Sequence, residues 1–322
     1  METESNQAYS FGMVAPSALH LLEMPYPSAN AYAEIGETLE NLAGEAVAGA
    51  WVLQRLGIQT KLDGRWLADS HQSMELLQKL DSIGLDVSRL RIEPGYHPQE
   101  EIVIADGKTR TVFGGYIKIL FNERQWNIPS EEDIKSAKII LLDPFLGAES
   151  KTCAELCVKH QAPYVTCDVA PDSFIAEHAF CSIISEEFLL REKSKLLETA
   201  ALQGIHVQSD SGFAEFFELY CKLCKGWVIF TFGGEPLWYS TPAKQGIARV
   251  RETFTPFKIQ VKDTTGAGDS FRAGFAYGVL KGLDSRAIIR TASAIAGLVC
   301  ERFPGVLQSP TREELHQFLK SH

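Results

Sequence analysis

The sequence predicts an α/β protein: a doubly wound, mostly parallel sheet with helices on both faces, plus a small β-sheet lid. Three observations predict it. Short apolar runs alternate with helical patterns along most of the 322 residues, the rhythm of a parallel sheet covered on both sides. One stretch, residues 91–122, breaks that rhythm and reads as strand, turn and strand. Finally, the turn in DTTGAGDSFRAGF (263–275) leads into a helix too apolar all round for a surface position.

Each element has its own warrant. FGMVA (11–15) is a first apolar strand, and EAVAGAWVLQRLG (45–57) is a helix whose small residues suit close packing. SMELLQKLDSIG (73–84) is a helix stopped by Gly84. In 91–122 the polar Asp106-Gly107 pair marks a turn between two strands. With residues 17–38 it is expected to form a small antiparallel sheet, a flap that excludes water from a cleft. AKIILLDP (137–144), PYVTCDV, CSIIS (181–185) and GWVIFTFGG (226–234) are strands, with helices between them at ESKTCAELCVKH, around EEFLLREKSKLLETA and at 213–224. Helices at 269–282, 285–301 and TREELHQFLK close the chain, and the whole of 1–322 reads as one domain with an inserted lid.

The formal charge of −10 argues against a nucleic-acid or anionic-membrane surface. No apolar run approaches the roughly 18 residues of a membrane span, and METESNQAYS lacks the basic start of a signal peptide. A reduced, cytoplasmic protein is expected. Seven cysteines show no disulfide framework. Cys221 and Cys224 have CxxC spacing, and Cys153 and Cys157 are four apart. No further ligands stand at matching intervals for zinc, so these thiols read as small hydrophobes on helices.

The chemistry concentrates at Gly266, Ala267, Gly268 and Asp269. A glycine turn opening a buried helix offers free N–H groups and the positive end of the helix dipole, an anion site and above all a phosphate site. A carboxylate there is repelled by the bound anion, so Asp269 needs a reason. An acidic first turn explains the aspartate alone, but not the glycines, the Asp263-Thr264-Thr265 lead-in and the buried helix together. The patterns GxxxxGK[ST] and GxGxxG after the first strand are absent.

DTTGAGDSFRAG resembles the C-terminal signature of the PfkB/ribokinase family of sugar and nucleoside kinases. Weaker likeness runs in the family's order along nearly the whole chain: Arg55-Leu56-Gly57, Gly64 to Asp69, Thr231-Phe232-Gly233 and Gly305. The resemblance implies a ribokinase-like fold and an ATP-dependent kinase acting on a small-molecule alcohol. It implies that Asp269 is the base taking the acceptor's hydroxyl proton, and that the N–H groups of Gly266, Ala267 and Gly268 hold the phosphoryl group. It places Thr231 and Gly233 on the nucleotide side, brings in Mg2+, and puts a monovalent cation (K+) at the carbonyls around Asp263 and Thr265.

Four departures from the family pattern cluster around the site. His20 stands where an aspartate usually grips acceptor hydroxyls, although a lone histidine also reads as a packing residue. The Gly-Gly with a following asparagine becomes Ala43-Gly44 with Ala48. The magnesium-organising Asn-x-x-Glu falls on Ser185-Glu186-Glu187-Phe188, leaving Glu187 as a neighbouring substitute. The acceptor is therefore expected not to be a plain pentose or hexose, but one with an apolar, aromatic or anionic portion. A non-catalytic relative that binds a nucleotide or metabolite is the alternative. Exposed lid edges predict pairing with a second copy as a homodimer.

Overall fold

A computed structural model describes residues 7–96, 101–107, 109–116, 125–208, 211–243 and 249–322. Its strands are β1 (Ala8–Gly12), β2 (Ala15–Leu22), β3 (Ile35–Ala43), β4 (Thr60–Gly64), β5 (Leu67–Ala68), β6 (Ile92–Glu93), β7 (Glu101–Ala105), β8 (Arg110–Gly114), β9 (Ile139–Leu142), β10 (Tyr164–Cys167), β11 (Cys181–Ser185), β12 (Trp227–Phe232), β13 (Glu235–Ser240) and β14 (Glu252–Phe254). Its helices are α1 (Glu45–Arg55), α2 (His71–Ser82), α3 (Glu131–Ser136), α4 (Gly147–His160), α5 (Phe174–His178), α6 (Glu186–Arg191), α7 (Lys193–Leu202), α8 (Phe213–Leu223), α9 (Ala267–Leu280), α10 (Ser285–Cys300) and α11 (Arg312–Ser321).

The main sheet has the order β14-β13-β12-β11-β10-β9-β1-β4. The strands from β12 to β4 run parallel, and β13 and β14 add an antiparallel edge. Side chains along each strand alternate between two cores, as a period of two requires. Ile139, Leu141, Ile183 and Ile229 face α1, α9 and α10, whereas Ile140, Leu142, Ile184 and Phe230 face α4, α6 and α8. The apolar runs of the sequence are thus strands buried on both faces. Cys153, Cys157 and Cys224 are buried among these side chains, and no disulfide joins the cysteines. Among the described residues no helix is long and apolar enough to cross a membrane.

A second sheet stands off the first, in the order β3-β2-β7-β8. The expected small sheet is present, with one correction. Its central pair, β2 and β7, is parallel, so the sheet is mixed rather than antiparallel. Ile92 and Glu93 pair instead with β5. Positions 97–100, 108 and 117–122 of the predicted lid segment lie outside the described residues. Leu19, Val103 and Ala105 form a small apolar cluster that receives Phe303, so this face of the lid packs against the segment that follows α10.

Two further corrections concern the first strand and its neighbour. β1 begins at Ala8, three residues before the predicted start, because Tyr9 and Ser10 are buried within it. The edge strand β4 (TKLDG) carries no apolar run. Its Asp63 is fully buried and accepts from Tyr9 Oη (2.6 Å), Asn127 Nδ2 (2.6 Å) and Arg89 Nε (3.1 Å).

Candidate active site

The carboxyl ends of the parallel strands all point to one rim, where ligands of open α/β sheets bind. The turn before α9 lies on that rim. Gly266 caps the helix with φ 72°, and a Cβ there would lie 2.2 Å from Val306 Cγ2. Asp263, buried, braces the turn from below: its Oδ1 accepts the Thr265 N–H at 2.8 Å and its Oδ2 the Gly305 N–H at 3.4 Å. The Ala267 N–H returns to the Thr264 carbonyl at 3.2 Å, so it is not free in the way the sequence suggests. The Gly266 and Gly268 N–H groups meet no protein acceptor among the described residues. Nothing lies within 4 Å of the place a Gly268 Cβ would take, and the Thr265 hydroxyl is buried without a partner. Open space, free donors and an orphaned hydroxyl converge here.

Asp269 sits in the first turn of α9, recessed, with 22% of its side chain exposed. Burial pushes its carboxyl up to about 6, because a charge loses solvation there. The Arg272 guanidinium opposes that rise, and the Asp143 carboxylate adds to it. A carboxylate that exchanges its proton near neutrality suits general-base work.

On the other side of the rim, Ser185 and Thr231 are register partners at the ends of β11 and β12. Gly233 follows in the hairpin at φ 59°, with open space where a side chain would stand. Ser185 is engaged within the protein. Its Oγ donates to Asp168 Oδ2 (2.9 Å) and accepts the Phe188 N–H (3.1 Å) as the cap of α6. Phe188 is buried in the core beneath α6, while Glu187 is 80% exposed and lies 3.8 Å from Arg191. The side chains at the Asn-x-x-Glu positions therefore do not converge on the rim. Asp168, in a left-handed conformation (φ 42°), does stand there, and its carboxyl is raised by burial.

On the acceptor side, Gly44 leads into α1, and a Cβ there would lie 2.2 Å from the Met13 carbonyl. Ala48 is buried in the core. His20 is corrected: it lies on the face of β2 opposite Leu19, with its Nδ1 2.9 Å from Thr38 Oγ1. Because strand side chains alternate, Ser17 shares the inward face instead. It pairs with Asn41 and Glu101 across the lid, and its Oγ donates to Glu101 Oε1 at 3.2 Å while Tyr116 Oη donates to Oε2 at 2.8 Å. Glu45, the first residue of α1, has its carboxyl raised by burial first, then by Asp143 and Asp269. From β8, the Arg110 guanidinium reaches the Thr264 carbonyl.

Sequence reading missed Glu45, Asp143, Asp168 and Arg272. A signal existed for three of them. Asp143 and Asp168 each follow an apolar strand directly, and Arg272 interrupts an otherwise apolar helix.

Comparison with known proteins supplies the context. The sequence profile described as pfkB family carbohydrate kinase matches residues 26–312. The chain is 38% identical over 85 residues to the ribokinase of Bacillus subtilis, covering 25% of this chain and 29% of that protein. It is 26% identical over 317 residues to the ribokinase of Arabidopsis thaliana, covering 91% of this chain and 79% of that one. The chain thus spans less than a third of the Bacillus relative and most of the plant one. The solved structure of Arabidopsis thaliana ribokinase complexed with ribose and ATP superposes with a TM-score of 0.74 at 17% identity, covering 98% and 99% of the two chains. The nucleoside kinase of Methanocaldococcus jannaschii gives 0.74 at 18% identity, covering 98% and 99%. The eight-stranded sheet and separate small sheet are those of the ribokinase fold. With most of its length matched, the chain belongs to the pfkB family of carbohydrate kinases.

Proposed function

We propose that this protein transfers the terminal phosphoryl group of ATP to a hydroxyl of a small sugar, sugar derivative or nucleoside, with Asp269 as general base. One observation carries the reading: a recessed carboxylate exchanging its proton at about 6 stands beside an anion-binding turn that has free N–H groups and an unpartnered Thr265 hydroxyl. The acceptor hydroxyl passes its proton to Asp269 as its oxygen bonds to phosphorus, and the bond from phosphorus to the departing ADP oxygen breaks. The Gly266 and Gly268 N–H groups face the charge that gathers on the phosphoryl oxygens. Thr231, Gly233 and Thr265 line the nucleotide side.

Magnesium neutralises phosphate charge in such transfers and keeps several waters. Ser185, Glu187 and Phe188 do not fit it, for the first caps a helix, the second faces solvent and the third is core. No step is routed through them. Nor does a monovalent cation enter the reading. Of the carbonyls in that stretch, Thr264's already meets Arg110, and those of Asp263 and Thr265 carry no step in this reading.

The acceptor is read from Glu45, Ser17, Asn41 and Glu101. Asn41 Oδ1 is buried without a partner, so it awaits a donor. This side of the cleft favours a ligand rich in hydroxyl or amino donors, which disfavours the anionic alternative among the apolar, aromatic or anionic portions expected from the sequence. Ile102 and Phe113, exposed and opposite each other on the lid's outer face, support burial of that face by a second copy.

The loss of Asn-x-x-Glu favours a second reading, a binding protein without turnover. ATP consumption against a panel of sugars, sugar derivatives and nucleosides decides between the two. Acceptor-dependent ADP release that vanishes in Asp269→Asn supports the kinase, and ATP binding with no turnover on any acceptor supports the second reading.

A further inference from the structure

Arg272 is fully buried on α9, three residues beyond Asp269. Its Nη1 donates to Asp143 Oδ1 at 2.7 Å, while its Nη2 donates to the Glu45 carbonyl at 2.6 Å and stands 4.0 Å from Asp269 Oδ1. Asp143 is equally buried after β9, and its Oδ2 accepts the Met13 N–H at 2.8 Å. Room for it exists because residue 12 is glycine: a Cβ there would lie 1.9 Å from Asp143 Oδ2. One guanidinium thus ties the ends of β1 and β9, the start of α1 and the first turn of α9.

The two carboxylates share this guanidinium unequally. An arginine one turn from a base would ordinarily close on it, and a charge-assisted pair would occupy the lone pairs needed for the hydroxyl proton. Asp143 wins the competition at 2.7 Å against 4.0 Å. Arg272 Nε is left buried with no acceptor. The pose is therefore not the one that best satisfies the guanidinium itself.

We propose that Asp143 and Arg272 are positioning residues for the base, Asp143 drawing the guanidinium off Asp269 so that its carboxylate remains free to accept a proton. The proposal rests on Asp269 being the base, as read above. The charged groups around Asp269 are Arg272 on its own helix, Asp143 after β9, Arg110 from the lid, Asp168 after β10 and Glu45 on α1. Burial raises its proton affinity most, Arg272 lowers it and Asp143 raises it.

Two variants then move the Asp269 titration in opposite directions. Asp143→Asn frees the guanidinium to close on Asp269, and the midpoint falls. The paired variant Arg272→Met with Asp143→Asn removes both charges, and the midpoint rises because Arg272 is the largest influence opposing burial and only the lesser one of Arg110 remains. The measurement is a pH titration of protein labelled with ¹³C at the aspartate carboxyls, followed by NMR. The Asp269 resonance is identified by its loss in Asp269→Asn, and thermal melting confirms that each variant folds. Opposite displacements of at least about half a pH unit are expected. Displacement in one common direction, or none, in folded variants overturns the proposal. Should the paired variant not fold, Arg272→Lys replaces it: an ammonium cannot bridge Asp143 and the Glu45 carbonyl at once, so a changed midpoint is expected and an unchanged one overturns the proposal. No nucleotide or acceptor enters the measurement. Failure of the kinase reading appears separately, as undiminished turnover in Asp269→Asn.

Discussion

Arg110 of the lid donates to the Thr264 carbonyl of the turn that leads to Asp269, joining residues 154 apart in sequence. The lid thereby touches the turn that opens α9, and its cation lies among the charges that act on Asp269. A cation of the lid sheet is thereby part of the charge field around this carboxylate, an arrangement that suits exclusion of water from phosphoryl transfer.

Replacing Arg110 with alanine is expected to loosen the lid and slow transfer. Amides of β7 and β8 should exchange faster with solvent than in the wild type, while those of β9 and β10 stay unchanged. Identical exchange in the lid would show that this contact does not hold it.

Asp269→Asn should preserve fold and ATP affinity while lowering turnover by at least about 10²-fold. Near-normal turnover on a confirmed acceptor would remove Asp269 from the chemistry.

The rate should also carry the ionisation of this carboxyl. A base works only when deprotonated, so kcat/KM is expected to be full above about 6 and to fall tenfold per pH unit below it. A profile flat from pH 5 to 8, under conditions where the chemical step limits, would exclude a base with that proton affinity.

Glu45→Gln tests the acceptor side. Its charge interacts with those of both Asp269 and Tyr116, so the KM for acceptor should rise by about tenfold or more while the KM for ATP stays within about twofold. Equal changes in both constants would point to a general disturbance of α1.

Asp63 supports the edge of the sheet, holding Tyr9, Asn127 and Arg89 with no exposure of its own. Asp63→Ala strands those donors in the interior and should cost about 3–5 kcal/mol of stability. Urea unfolding that shows a loss below about 1 kcal/mol would mean that water replaces the carboxylate.

Much of this architecture was legible because buried parallel strands announce themselves as apolar runs, as in IILL of β9 and CSII of β11. β4 was not, since Lys61 and Asp63 are matched by partners distant in sequence, Asp133 for one and Tyr9 for the other. The turn at 266–268 was legible through its glycines, whose meaning is local. His20 misled because a strand reverses its facing at every residue, so a shift of three positions separates it from the inward-facing Ser17. Arg272 and Asp143 depend on a contact across 129 positions, which no local pattern announces.

The start of α6 bears on what single substitutions there can achieve. Phe188 fills the core and Ser185 ties the helix to Asp168. Restoring glutamate at 188 would place a charge among apolar side chains and leave a void where the ring had been, a loss of about 3–5 kcal/mol for the ring alone. Restoring asparagine at 185 alone would bring back half a motif. Neither single substitution is expected to place the motif's pair of side chains at the rim. Both oxygens of Asp168, the carboxylate at the same rim, are held by the N–H and hydroxyl of Ser185, so any part it takes in handling charge has to displace those two bonds.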